Sequence, residues 1–125
     1  MTRKDIKQLE DVQLLVNHFY EQVRKDDLLA DIFNNIIQDR WPQHLEKMYR
    51  FWQTVLLDEH TYMGSPFVPH ASMSLNENHF DRWLTLFSAT VDQFFEGENA
   101  EKAKQQGRRM AIMFLSKINY LRENP

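Results

Sequence analysis

Residues 62–87 read YMGSPFVPHASMSLNENHFDRWLTLF. The first half is not a long helix. Gly64, Pro66 and Pro69 interrupt it at close intervals, because proline lacks an amide donor and clashes with the preceding turn. The second half is a strongly amphipathic helix, with Phe80, Trp83, Leu84, Phe87, Val91 and Phe94 at spacings that keep them on one face. His70 stands at the join, one residue after a proline. A histidine held between a broken loop and an aromatic helix is a candidate metal ligand. The segment alone favours the plainer reading of a surface loop histidine.

Working outward, Ile6, Leu9, Val12, Val16, Phe19 and Val23 mark one helical face. Asp5 and Asp11 are its candidate N-caps, for one helix or for a short one followed by a longer one. Asp26 and Asp27 interrupt the pattern, and Leu28 to Ile37 reads as one or two tight helical turns. Asp39 is the expected N-cap of a second long helix, with Pro42 tolerated in its first turn. His44, Met48, Phe51, Trp52 and Val55 follow on one face to about Asp58, and residues 59–74 are broken. Ser74 and Glu77 have capping-box spacing for the third helix, Asn76 being the alternative cap, and Gly97 is expected to end it. Asn99 then caps a fourth helix, whose stripe is Ala103, Met110, Phe114, Ile118 and Leu121. Gly107 inside that helix costs roughly 1 kcal/mol relative to alanine, which predicts close packing there. Four substantial helices in an all-α domain spanning residues 1–125 result. The connection between the second and third is longer than a plain bundle needs.

The chain has 125 residues, enough for a single core, and is 42% hydrophobic and 26% charged, as soluble globular proteins are. Nine Phe against only three Gly favour helices around an aromatic interior. The net charge is -3 and no single-sign basic face stands out, so no nucleic-acid partner is expected. No apolar run approaches the ~18 residues of a membrane span. The N-terminal MTRKDIKQLED lacks the apolar core of a signal peptide, so a cytoplasmic protein is expected. The absence of cysteine excludes disulfides, thiolate metal sites and covalent haem attachment through C-x-x-C-H. The five histidines show no i, i+4 zinc pair, and no Glu-x-x-His di-iron motif, G-x-S-x-G elbow or phosphate loop occurs. His18 points to a different side of its helix from Tyr20 and reads as solvated, and His79 reads as structural or surface.

Three polar side chains remain on otherwise apolar faces: Tyr20, His44 and Trp83, each with a hydrogen-bond donor. Singly, each reads as amphipathic packing with its polar tip at the surface. Together they contribute one donor from each of three helices, with His70 as an anchor for the set, and this favours a functional site.

The order and spacing of several segments resemble the truncated haemoglobins of group III over almost the whole chain. They are FYEQVRKD at 19–26, IFNN at 32–35, Trp41 followed by His44, FW at 51–52, Y-x-G-x-P-x-x-x-H from Tyr62 to His70, and HFDRWLTLF at 79–87. The glycine pairs usual in the first two groups are missing. The resemblance implies a truncated globin fold, a two-over-two helical sandwich around one non-covalent b-type haem. It implies His70 as the proximal iron ligand and Tyr20, His44 and Trp83 as the distal polar set. Phe33, Met48, Phe51 and Phe80 would contact the porphyrin, and Lys47 would pair with a propionate. Dioxygen and related gases such as NO and CO would be the ligands, held tightly by the distal donors. The alternative is an enzyme for nitric oxide dioxygenation or peroxide chemistry, which would need an external reductase, since the chain carries no reductase domain.

Overall fold

The computed structural model describes residues 3–67, 70, 73 and 75–124. Among these described residues, five helices follow in order: α1 (Leu9–Lys25), α2 (Ala30–Ile37), α3 (Trp41–Leu57), α4 (Glu77–Phe94) and α5 (Glu98–Glu123). They form two layers. α1 packs on α3, α4 packs on α5, and the pairs meet through α1 against α4 and α3 against α5. This is the expected two-over-two sandwich, with α2 as a short fifth helix beside α1.

Each long helix forms because its apolar residues recur on one face, and that face is buried. Val12, Leu15, Val16, Phe19 and Val23 of α1 are at most 2% exposed and meet Phe87 and Val91 of α4 in the core. Aromatic rings fill its centre. Phe87 stacks between Trp83 (ring centroids 5.0 Å, 12°) and Trp52 (5.0 Å, 20°), and Phe19 sets its edge against both Phe87 and Trp83. Offset and edge-on contacts of this kind add to the stabilisation from buried area alone.

The helix ends differ from several expectations. α3 starts after Arg40, and no side chain caps it, so Asp39 is not its N-cap. Pro42 does fall in its first turn, where a missing amide costs nothing. Its C-cap is Asp58, in the left-handed region (φ 57°, ψ 33°), which aspartate tolerates better than most residues. Asn76 caps α4 by accepting from the Asn78 and His79 amides, while His79 Nδ1 accepts from the Asn76 amide (3.0 Å). This is a capping box with histidine in the glutamate position. The Ser74 alternative lies outside the described residues. Gly97 does not close α4, which ends at Phe94. It precedes α5 with φ 128°, a conformation that suits glycine.

Neither Asp5 nor Asp11 caps α1, whose N-cap Gln8 makes no side-chain bond. Asp5 instead caps α5 from across the fold, accepting the amides of Asn99 (3.0 Å) and Ala100 (2.9 Å). Asn99 is therefore capped rather than capping. A Cβ on Gly97 would meet the Asp5 carboxyl carbon at 2.7 Å, so this cap needs glycine beside it. The fully buried Ile6, the Lys4–Phe95 bridge and the Glu96 amide on the Lys4 carbonyl seat the same N-terminal segment. Burial of Asp5 opposes ionisation, but the amides of Asn99, Ile6 and Ala100 outweigh it and hold the carboxyl below its ordinary value.

Asp5→Ala should therefore cost about 1–2 kcal/mol, roughly 5 °C in melting temperature, and Asp5→Asn much less. The wild-type advantage should be present above pH ~4 and vanish as the pH falls through the depressed carboxyl pKa, which thermal melts across acid pH will read.

Candidate functional site

Between α3 and α4 the core is left open as a cavity of about 620 Å³, within the ~300–1,000 Å³ range of small-molecule sites. It accounts for a pattern in the burial: Phe33, Met48, Phe80 and Trp83 are apolar yet only partly buried, because they line this space. Phe51, Met110 and Phe114 complete much of its apolar wall.

The segment after α3 is folded back by α3's own polar residues. Thr54 Oγ1 accepts the amides of Thr61 and Tyr62 (both 3.1 Å), and Thr61 Oγ1 donates to buried Gln53 (2.9 Å). Tyr62 is thereby set edge-on to Phe51 (5.4 Å, 81°). Farther on, the His70 amide donates to the Phe67 carbonyl (2.8 Å). The His70 ring packs on Phe114 (4.9 Å) and lines the cavity. Its Nδ1 lies 2.7 Å from the Pro66 carbonyl oxygen, so Nδ1 carries the proton and donates. Nε2 is then the unprotonated nitrogen, available as a ligand. Burial lowers the His70 pKa despite that bond, which favours the neutral, coordinating form.

Tyr20 and Trp83 line the cavity from two helices, whereas His44 lies against Tyr20 and is not among the lining residues. Tyr20 is 7% exposed, lines the cavity and sets its ring edge-on to His44 (5.0 Å, 85°). Burial alone raises its phenol pKa, so it stays protonated and remains a donor. Trp41 stands edge-on to both Tyr20 and His44 and carries Arg24 over its ring. His44 Nε2 is buried with no hydrogen-bond partner among the described residues. Native proteins rarely leave such an atom unpaired without a use for it. Burial, then the proximity of His70 and Lys47, pushes the His44 pKa down to about 4.

At the rim stand Lys47, Glu46 and Arg50, the last bound to Glu46 (2.7 Å) and to Gln53 (3.0 Å). An exposed lysine at an apolar cavity's edge suits an acidic group on an otherwise apolar ligand. His18 is less solvated than expected: it packs on Phe94 at 4.5 Å and lies 3.7 Å from Glu21.

The fit to haem is good on these observations. A largely apolar cavity and one neutral imidazole on its wall with the far nitrogen free are what the group requires.

The bacterial-like globin family model matches residues 5–116. The chain belongs to that family, as a group III truncated haemoglobin. It is 33% identical over 109 residues to the group 3 truncated haemoglobin ctb of Campylobacter jejuni, a match covering 84% of this chain and 86% of that one. It superposes on the crystal structure of a group III truncated haemoglobin from C. jejuni with a TM-score of 0.84 and 31% identity, covering 94% of this chain and 95% of that one. Membership implies haem-based binding of small diatomic ligands. Among the described residues, no helix of this truncated haemoglobin is long and apolar enough to cross a membrane.

Sequence reading missed part of the wall. Tyr62, Met73, Met110 and Phe114 also line the cavity. The last two sit on α5's apolar stripe, where a residue facing a cavity carries the same pattern as one facing the core. His79, read as structural or surface, is both a capping residue and part of the lining.

An unpaired buried His44 has a measurable consequence. Without haem, His44→Leu should stabilise the chain at neutral pH by about 1–2 kcal/mol, since it removes an unsatisfied polar atom. Wild-type stability should also fall as the pH drops from about 6.5 towards 4, because the unfolded chain then binds the proton that buried His44 refuses. Urea midpoints against pH will show a shallower slope in the variant, with His70 supplying the remainder.

Proposed function

We propose that this chain holds one b-type haem non-covalently in the cavity, where His70 would hold the iron, and uses it to bind dioxygen, NO and CO. The observation that carries the reading is the His70 imidazole, its Nδ1 engaged by the Pro66 carbonyl and its ring at the cavity wall. Bound haem supplies a ferrous iron with one coordination position open to a diatomic gas. The Pro66 carbonyl, accepting from His70 Nδ1, fixes the tautomer that leaves Nε2 unprotonated. Phe33, Met48, Phe51 and Phe80 line the cavity and would exclude water around the porphyrin, and Lys47 would offer a cation to a propionate. The Tyr20 hydroxyl and the Trp83 indole N–H donate to a ligand that gains negative charge, each for roughly 1.5–3 kcal/mol. His44, neutral at physiological pH, supplies a third polar contact or swings aside to admit ligand. Two or three such bonds slow release, which suits chemistry or sensing better than bulk transport.

One observation favours a second reading, turnover of nitric oxide or peroxide with an external reductant. The buried, unpaired His44 Nε2 is a proton-exchanging group beside Tyr20, which itself lines the cavity. Steady-state consumption of either substrate that falls at least tenfold in His44→Leu would support it.

For the binding reading, hemin titration should saturate at one per chain, and Tyr20→Phe should raise the dioxygen off-rate about tenfold to a hundredfold by stopped flow. An unchanged off-rate removes Tyr20 from the ligand site.

A further inference from the structure

Gly107 lies in the middle of α5, where glycine disfavours the helix, yet the helix runs through it unbroken from Glu98 to Glu123. The residue is buried against α4. A Cβ built there would meet Trp83 Cζ3 at 3.2 Å and Phe87 Cδ2 at 3.3 Å. These two rings are the stacked pair of α4.

The two rings are not equally free to yield. Phe87 is 1% exposed, with Trp52 stacked at 5.0 Å and the edge of Phe19 at 5.2 Å, so it has nowhere to go. Trp83 has Phe87 on one side and the cavity beside it, and it is only partly buried. Moving α5 away as a unit would open its whole seam with α4. The least costly response to any side chain at 107 is therefore a shift of the Trp83 indole towards the cavity.

We infer that Gly107 is a positioning residue for Trp83: the missing side chain sets how far the indole projects into the ligand cavity, and so where its N–H points. The inference rests on the reading of Trp83 as a ligand donor. It explains why glycine stands at a helical position where alanine would fit the helix better. Gly107 itself touches neither ligand nor cofactor.

The test is a cycle of G107A, W83F and the double variant in the haem-loaded protein. Its readouts are the carbon monoxide and dioxygen off-rates, the C–O stretching frequency and the Trp83 indole N–H resonance. W83F should speed dioxygen release, and G107A should do so in the same direction by a smaller factor, roughly threefold to tenfold, the size of a partly lost hydrogen bond. G107A should also shift the C–O stretch and move the indole resonance, in haem-free protein too, while helix content by circular dichroism stays the same or rises. In the W83F background, G107A should change none of the ligand readouts. If W83F has its effect and G107A leaves the stretch and the indole resonance unmoved, the positioning role is overturned. If G107A acts equally in both backgrounds, it works through general packing and the role is again overturned. If W83F itself changes nothing, the donor reading of Trp83 falls, and this inference falls with it.

Discussion

The constraint on which the rest of the structure depends is that the core is left unfinished between α3 and α4. A chain of 125 residues has little stability to spare, roughly 0.05–0.15 kcal/mol per residue. An apolar cavity of about 620 Å³ forfeits contacts along its whole wall. The aromatic residues around it make sense as the two sides of a slot closed by a flat ligand. The stack of Trp52, Phe87 and Trp83, braced by Phe19, is the firm part of that wall and continues directly into the core.

The polar groups in and beside the slot follow the same logic. Two histidines are held neutral by burial, and one keeps its useful nitrogen free by giving the other to a backbone carbonyl. Tyr20 is kept protonated by the same exclusion of water. The charged groups, Lys47, Glu46 and Arg50, stay at the rim. Farther out, Asp26 bonds the Leu28 and Leu29 amides and pairs with Arg82 at 2.6 Å, tying α4 next to Trp83 to the turn that follows Tyr20's helix. Burial opposes the Asp26 charge, but Arg82 and the two amides outweigh it and hold the carboxyl below its ordinary value.

Much of this was legible in the sequence. Helical periodicity found the four long helices, because their apolar faces are the buried ones. The broken run around His70 stood out because two prolines and a glycine forbid a helix. The caps were less legible. Asp5 serves α5 rather than the adjacent helix, a contact over 94 residues that no local pattern encodes. Gly97 looked like the end of one helix and proved to be the start of the next. Asp39 had the chemistry of a cap without the position. Around the cavity, Tyr20 and Trp83 stood out as polar groups on apolar faces, whereas Met110 and Phe114 did not, since an apolar side chain lining a cavity cannot be told from one in the core.

The most direct test of the central claim is the resonance Raman spectrum of the ferrous, haem-loaded protein in the iron–imidazole stretching region. The account predicts one such band in the wild type, kept in His44→Ala and lost in His70→Ala, with exogenous imidazole restoring a band to the latter. An undiminished band in His70→Ala, or its loss in His44→Ala alone, would contradict it.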